Sequence, residues 1–199
     1  FDDSGQVCLA GTRLLVEASI REEFLTKFHA HVDALVLGDP RDDGTDIGPL
    51  VHPDHRANVH GFVERAAAAG DTIVRGGEMA DGSLHYLPTL IEPASNDSEV
   101  VQREIFGPVL TFQTFADEAE ALELANSTDY GLSAIVFTTS AERAERVGRA
   151  LRTGLVWVNT FLVRDLTAPF GGCGISGIGR EGGDHALDFG DAGTSMIED

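Results

Sequence analysis

Short apolar stretches rich in β-branched residues alternate along this chain with longer stretches whose apolar residues recur at helical spacing. Strands that alternate with helices of this length are typical of βαβ units and a largely parallel sheet. The predicted strands cover residues 13–17, 72–75, 85–91, 109–114, 132–138 and 155–159. The predicted helices begin at Ser19, at Pro53, near residue 117 and at Ser140, and they end before Gly38, at Gly70, near residue 126 and near residue 152. We therefore predict an α/β fold with a largely parallel sheet and helices on both faces.

Capping residues and a proline give finer predictions about the ends of these elements. Ser19, with Glu22 three residues later, forms the capping-box pattern of a helix N-terminus. Asp117 and Glu120 form the same pattern with an aspartate in the cap position. Pro88 lies inside its predicted strand and cannot donate to a β-ladder, so we place that strand at the edge of the sheet.

Length and charge limit the classes of protein that this chain fits. Its 199 residues correspond to about one domain, which we place at residues 1–183, followed by a tail at 184–199. Fourteen Lys and Arg residues against 33 Asp and Glu residues give a net charge of −19, which argues against nucleic acid or a membrane surface as a partner. No apolar run approaches the roughly 18 residues of a membrane span.

Two cysteines lie far apart in the sequence, Cys8 near its beginning and Cys173 near its end. Two cysteines so far apart suggest free thiols in a reducing compartment, so we expect a cytoplasmic protein. The alternative is a single disulfide bridge between Cys8 and Cys173. Cys8 follows a short glycine-containing loop before the first strand, where a thiolate can act as a nucleophile once it is activated. The other interpretation of Cys8 is a small buried hydrophobe, and Cys173 is expected to fill space in a glycine-rich loop.

A carboxylate, an aromatic ring and a Gly-Pro turn follow one another at residues 104–108. The carboxylate of Glu104 can accept hydrogen bonds from both hydroxyls of a ribose. The alternative is that Glu104 is only a turn residue before the strand that starts at residue 109.

Polar residues follow the last predicted strand. Asn159 and Thr160 lie at the end of the strand predicted at 155–159, and Arg164 and Asp165 come shortly after them. Ligands in open α/β sheets bind beyond the carboxyl ends of strands. An arginine at that place can hold a carboxylate with two hydrogen bonds. The alternative is a surface ion pair between Arg164 and an acid such as Asp165.

Two further motifs do not indicate sites. Residues 172–177 contain the pattern G-x-G-x-x-G, but no predicted strand directly precedes it and no βαβ unit follows it, so it does not indicate a dinucleotide site. Three of the seven histidines lie close together in sequence: His52, His55 and His60. They lack Cys or acidic partners at ligand spacing, so we predict no metal site.

Six stretches together resemble the C-terminal, catalytic part of the aldehyde dehydrogenases, and they occur in the order of that family. They are Gly5 to Arg13 around Cys8, Asp46 to Leu50, Glu104 to Val109, Asn126 to Ala134, Gly154 to Asn159, and Pro169 to Glu181. The resemblance covers nearly the whole chain. A narrower likeness, at residues 159–166 and 179–183, is to the 2-hydroxymuconic and 2-aminomuconic semialdehyde dehydrogenases of aromatic-ring degradation.

This resemblance implies oxidation of a small-molecule aldehyde to a carboxylic acid, with NAD or NADP as the cofactor. Cys8 would attack the aldehyde carbon, and its backbone N–H would help to stabilise the oxyanion. Glu104 would bind the nicotinamide ribose, and Phe106 would pack near the cofactor. The complete enzyme would be a homo-oligomer.

The resemblance also implies which residues bind the substrate. Phe170 would form a wall of the aldehyde pocket, and Thr160 would contact the substrate. In the muconic semialdehyde dehydrogenases, the arginine that matches Arg164 would hold the carboxylate of the substrate.

The chain also departs from the family pattern. The family's main cofactor-binding segment, with its general-base glutamate and its oxyanion-hole asparagine, precedes the position of Cys8, and this sequence does not contain it. We therefore expect that the chain by itself does not turn over aldehydes. Two other functions fit the residues: a folded assembly domain without turnover, and an esterase or acyl carrier that uses Cys8 without hydride transfer.

Overall fold

The computed structural model describes residues 1–80, 82–163 and 165–183 of the chain. The chain divides into two compact units, Phe1–Leu124 and Ala125–Asp199. The expected domain at residues 1–183 stays a prediction, and the expected tail at 184–199 lies outside the described residues. No helix within the described ranges has both the length and the apolar character needed to cross a lipid bilayer.

A four-stranded sheet organises the first unit. The elements follow in the order β1 (Arg13–Glu17), α1 (Arg21–Asp33), α2 (Pro53–Ala69), β2 (Thr72–Arg75), β3 (Thr89–Glu92), α3 (Glu99–Gln102), β4 (Val109–Phe115) and α4 (Glu118–Ala125), the last of which reaches the boundary between the units. The strand order is β1-β4-β3-β2, in which β1 and β3 pair parallel to β4 and β2 pairs antiparallel to β3. The predicted α/β class with a largely parallel sheet is therefore confirmed.

Helices cover both faces of this sheet, as predicted. Neighbouring residues of a strand point to opposite faces, and Leu90 and Ile91 of β3 belong to two separate apolar clusters. The cluster around Leu90 contains Leu25 of α1, whereas the cluster around Ile91 contains Val59 of α2 and Val100 of α3. Helix α1 therefore packs on one face of the sheet, and α2 and α3 pack on the other.

Helix α2 begins and ends where the sequence predicts. Pro53 lies in its first turn, where no intrahelical N–H bond is needed, and the backbone N–H of Asp54 donates to Nδ1 of His52 at 3.2 Å. Gly70 ends the helix with a φ of 95°, a left-handed conformation that glycine adopts without steric cost. The buried face is the predicted one: Val59, Val63 and Ala66, with Phe62 packed beside them.

The predicted start of α1 at Ser19 is wrong. Ala18–Ile20 forms a short 3-10 turn, and α1 begins at Arg21 without a side-chain cap. The hydroxyl of Ser19 donates to Oε1 of Glu17 at 2.8 Å, so it does not cap the helix. The carboxylate of Glu22 pairs with Arg21 at 2.5 Å, and the reciprocal bond of a capping box does not form.

The edge position predicted for the strand at 85–91 is also wrong. Strand β3 begins only at Thr89, which pairs with Val109, and it lies between β2 and β4. Pro88 precedes the first ladder pair, so its missing N–H interrupts no strand hydrogen bond. A proline at this place is therefore compatible with an interior strand.

The second unit contains a βαβ arrangement. Strand β5 (Ser133–Val136), helix α5 (Ala141–Ala150) and strand β6 (Leu155–Val158) follow one another, and β5 and β6 pair in parallel. Helix α5 begins as predicted, because the hydroxyl of Ser140 accepts from the backbone N–H of Arg143 at 3.2 Å. In the first unit, Asp117 likewise accepts from the N–H of Glu120 at 3.0 Å, which confirms the cap predicted for α4.

Candidate active site

Cys8 lies in an exposed turn that precedes β1. The backbone N–H of Ala10 donates to the carbonyl of Val7 at 2.9 Å and closes this turn. Cys8 is exposed, so its interpretation as a small buried hydrophobe is wrong. Both cysteines are free thiols, so the alternative of a disulfide bridge between them is also wrong. Among the described residues, none accepts a hydrogen bond from the backbone N–H of Cys8. The turn therefore offers a thiol and an unpaired N–H donor at the same residue.

Side-chain hydrogen bonds hold the loop that leads into Cys8. The hydroxyl of Ser4, which is 2% exposed, donates to the carbonyl of Gly48 at 2.7 Å. Oε1 of Gln6 accepts from the backbone N–H of Val51 at 2.9 Å. Both partners lie in the loop before α2. The first two stretches that carry the family resemblance are therefore neighbours in space.

A backbone contact brings the cysteine loop against the segment that contains Glu104. Strands β1 and β4 are parallel neighbours, so the loops that precede them lie at the same edge of the sheet. Gly5 has a left-handed φ of 70°, and a Cβ on it would lie 2.6 Å from the carbonyl carbon of Gly107. A Cβ on Gly107 would lie 2.7 Å from Cγ2 of Val59 in α2. Only glycine allows these approaches, so the cysteine loop and α2 both contact the Glu104 segment.

The carboxylate of Glu104 is free to bind a ligand. Ile105 is 5% exposed and anchors the segment in the core, whereas Glu104 is exposed and Phe106 is partly buried. Within the part of the chain that the structure describes, no cation or N–H donor pairs with this carboxylate. A free carboxylate can accept two hydroxyl hydrogen bonds, which is the chemistry that ribose binding requires. That role and its turn-residue alternative stay predictions.

A histidine that the sequence analysis did not assign to this site holds Phe106 in an unusual backbone conformation. The φ of Phe106 is 59°, a left-handed value that is uncommon for a bulky residue. Nε2 of His55 lies 2.8 Å from the carbonyl oxygen of Phe106, and it is the donor because a carbonyl only accepts. The sequence contained one indication of this role: His55 lies four residues before the predicted core residue Val59, a spacing that places both on one helix face.

The three clustered histidines have separate roles. His52 caps α2, His55 bonds to Phe106, and Nδ1 of His60 lies 3.0 Å from the hydroxyl of Tyr86. Burial raises the pKa of the Tyr86 hydroxyl above its usual value, so the phenol keeps its proton. Across the described ranges, no group of three His, Cys, Asp or Glu side chains is placed to hold a metal ion.

Asn159 directly follows β6 in the second unit and bonds to Thr138, two residues after the end of β5. Its Oδ1 accepts from the N–H of Thr138 at 2.9 Å and its Nδ2 donates to the Thr138 carbonyl at 2.8 Å, so the side chain continues the pairing of the two strands. A cleft of about 480 Å³ lies at these strand ends, and Thr160, which is partly buried, follows Asn159. Arg164 lies outside the described residues, so its carboxylate-binding role and its alternative pairing with Asp165 stay predictions.

Phe170 lies in the glycine-rich segment of the second unit. Its backbone exchanges two hydrogen bonds with Glu181, of 2.6 and 2.7 Å. Cys173 was expected to fill space in the glycine-rich loop, and its sulfur lies beside Gly131, outside that loop, where a Cβ on Gly131 would lie 2.5 Å from it. The G-x-G-x-x-G stretch forms a 3-10 turn at Gly174–Ser176 and not the strand-turn-helix unit of a dinucleotide site.

The predicted site residues are divided between the two units. Cys8, Glu104 and Phe106 belong to the first unit, where the contact of their two loops brings them to one edge of the sheet. Thr160 and Phe170 belong to the second unit. The candidate site of the first unit therefore contains the predicted nucleophile and the predicted cofactor-binding residues.

Comparisons with known proteins show what this chain is similar to. The model of the family described as "Aldehyde dehydrogenase family" matches residues 1–190. The (Z)-2-((N-methylformamido)methylene)-5-hydroxybutyrolactone dehydrogenase of Acinetobacter baylyi is 45% identical over 185 residues, which are 92% of this chain and 38% of that protein. The 2-aminomuconic 6-semialdehyde dehydrogenase of a Pseudomonas species is 42% identical over 195 residues, which are 95% of this chain and 40% of that protein.

A solved structure is similar over the same region. The betaine aldehyde dehydrogenase of Staphylococcus aureus in complex with NAD⁺ superposes with a TM-score of 0.90 at 38% sequence identity. The superposition covers 94% of this chain and 38% of that one. The chain thus spans about two fifths of the length of the relatives that it matches.

Proposed function

Because the chain belongs to the aldehyde dehydrogenase family, we propose that it forms the catalytic part of an enzyme that oxidises an aldehyde to a carboxylic acid with NAD or NADP. The observation that carries the proposal is the exposed turn of Cys8, whose loop contacts the segment of Glu104 and Phe106 through Gly5 and Gly107. A nucleophile and a free carboxylate thus lie at the same edge of one sheet.

Cys8 would react as the thiolate, the form in which cysteine is nucleophilic. Its sulfur forms a bond to the aldehyde carbon, and the carbonyl oxygen becomes an oxyanion that the unpaired N–H of Cys8 stabilises. Loss of hydride from the same carbon leaves a thioester on Cys8. A water molecule then attacks the thioester and the C–S bond breaks, which releases the carboxylic acid and returns the thiol.

The residues beside Cys8 fit a nicotinamide cofactor. The exposed carboxylate of Glu104, which has no partner among the described residues, would accept hydrogen bonds from the ribose hydroxyls. The ring of Phe106 would pack against the cofactor. When bound, the cofactor accepts the hydride from the aldehyde carbon. The S. aureus betaine aldehyde dehydrogenase in complex with NAD⁺ supports this class of cofactor.

The finer proposal is that the substrate is a semialdehyde that carries a carboxylate. It is supported by the Pseudomonas relative, which is named a 2-aminomuconic 6-semialdehyde dehydrogenase. Arg164 would hold the carboxylate through paired N–H donors. Phe170 and Thr160 would line the pocket around the aldehyde group.

Replacing Arg164 by alanine in the full-length protein tests this finer proposal. We expect KM for a carboxylate-bearing semialdehyde to rise about tenfold or more, because a hydrogen bond to a charged group contributes about 1.5–3 kcal/mol. KM for a neutral aldehyde of the same length is expected to change little. Arg149→Ala, at an exposed arginine of α5, serves as the matched control in the same steady-state assays. Equal changes for both aldehydes would exclude the carboxylate-binding role.

The test of the function itself uses the full-length protein with NAD⁺ or NADP⁺ and a panel of neutral and carboxylate-bearing aldehydes. Aldehyde-dependent formation of reduced cofactor is the expected result. An activated aryl ester distinguishes the alternative that uses Cys8 without hydride transfer. A burst of phenol release from the ester, without cofactor reduction by any aldehyde of the panel, would indicate acyl transfer and overturn the proposal.

A further inference from the structure

We infer that His55 is a positioning residue, which holds Phe106 and through it the Glu104 carboxylate in the geometry that binds the nicotinamide cofactor. The inference rests on the proposed function, because it concerns the cofactor that this function requires. It is carried by three observations on the first unit: the backbone conformation of Phe106, the bond that His55 makes to it, and the contact of the next residue with the same helix.

The conformation of Phe106 needs an external cause. A left-handed φ of 59° is unfavourable for a residue with a Cβ, and glycine or asparagine is the usual occupant. Gly107 follows directly but does not have a positive φ, so the phenylalanine and not the glycine adopts the strained conformation. Such a conformation persists only where surrounding contacts hold it, and it is often found at ligand-binding sites.

Helix α2 supplies those contacts from two consecutive turns. The distance of 2.8 Å between Nε2 of His55 and the Phe106 carbonyl oxygen is that of a well-formed hydrogen bond. Val59 lies one turn further along the same helix face, and its methyl group limits the space at Gly107. Val59 is fully buried in the core, so this face of the helix is a firm support.

The position of Glu104 depends on this support. Ile105 is buried, so the segment is fixed in the core between Glu104 and Phe106. Gly107 is fixed against the cysteine loop by its contact with Gly5. The dihedral angles of Phe106 therefore set how Glu104 is directed relative to that loop. Without the bond from His55, we expect the left-handed conformation of Phe106 to be less favoured and the direction of the Glu104 carboxylate to be less fixed.

The test compares two substitutions of His55 in the full-length protein. His55→Leu keeps bulk but has no donor, whereas the side-chain amide of His55→Gln can donate to the same carbonyl. We expect His55→Leu to raise the Kd for the cofactor, measured by calorimetric titration with NAD⁺ and NADP⁺, by about tenfold, the effect of one hydrogen bond of ordinary strength. His55→Gln is expected to restore most of the affinity. His31→Gln, at an exposed histidine of α1, is the control and is expected to bind like the wild type.

A purely structural role for His55 would give a different result. In steady-state assays we expect His55→Leu to raise KM for the cofactor and to leave KM for the aldehyde nearly unchanged, because the bond of His55 is to a residue proposed to contact the cofactor and not the aldehyde. An equal rise in both constants would overturn the inference. So would a cofactor Kd unchanged from the wild type, or a His55→Gln variant that binds no better than His55→Leu.

The outcomes also separate this inference from the proposed function. If the wild-type protein binds neither NAD⁺ nor NADP⁺, the proposed function fails and the inference fails with it. If the wild type binds a cofactor and His55→Leu binds it with the same Kd, the inference alone fails. Should His55→Leu not fold, His55→Asn takes its place, because its shorter amide does not reach the carbonyl. Wild-type cofactor affinity in folded His55→Asn would overturn the inference equally.

Discussion

Replacing Cys8 by alanine is expected to abolish aldehyde oxidation by the full-length protein, with kcat lower by at least about 10³-fold. The substitution removes the atom that is proposed to bond to the aldehyde carbon, and neither Glu104 nor Phe106 carries a nucleophile suited to replace it. The Kd for NAD⁺ or NADP⁺ is expected to stay close to that of the wild type, because the Glu104 segment is anchored through Gly5 and α2 and not through the thiol. Cofactor reduction at saturating aldehyde gives kcat, and calorimetric titration gives Kd.

The second cysteine provides the matched control for this experiment. Cys173 fills space beside Gly131 and is not proposed to react, so Cys173→Ala is expected to keep most of the activity. Iodoacetamide is expected to alkylate the exposed Cys8 before the partly buried Cys173. Near-normal turnover by Cys8→Ala, or inactivation that maps to Cys173, would contradict the proposed chemistry.

Elements whose ends depend on local backbone chemistry could be predicted from the sequence. Pro53 and Gly70 delimit α2 because each suits one end of a helix whatever surrounds it. Ser19 misled the prediction, since its hydroxyl bonds to the carboxylate of Glu17 and not to the helix N-terminus, and sequence spacing does not decide between these acceptors. Pro88 led to the wrong prediction of an edge strand. The effect of a proline on a strand depends on where the hydrogen-bonded ladder begins, and the neighbouring strand sets that point.

The members of the candidate site could be identified from the sequence, but their arrangement could not. Cys8 and Glu104 stand out because a thiol and a carboxylate in glycine-containing loops are chemically distinctive. That their loops meet follows from the parallel pairing of β1 and β4, a contact between residues about a hundred positions apart. His55 was not assigned to the site because its partner is a backbone carbonyl, a group that every residue carries and no sequence pattern marks.

Replacing Gly5 by alanine is expected to lower the free energy of unfolding of the first unit by about 2–5 kcal/mol. The alanine would have to keep a left-handed φ of 70°, and its Cβ would lie 2.6 Å from the carbonyl carbon of Gly107. Because the opposing atoms belong to the backbone, no side chain can rotate away, and one of the two loops must move. Urea denaturation followed by circular dichroism measures the loss of stability.

The same substitution also tests the site, and Gly11→Ala is its control. Gly11 lies between Cys8 and β1, but a Cβ on it would have no heavy atom within 4 Å, so the free energy of unfolding is expected to change by no more than about 0.5 kcal/mol. In folded full-length protein we expect Gly5→Ala, and not Gly11→Ala, to weaken cofactor binding, because the displaced contact joins the cysteine loop to the Glu104 segment. If Gly5→Ala is as stable as Gly11→Ala and binds the cofactor equally well, the two loops do not meet in this way. Cys8 and Glu104 then have no structural reason to act on the same molecule.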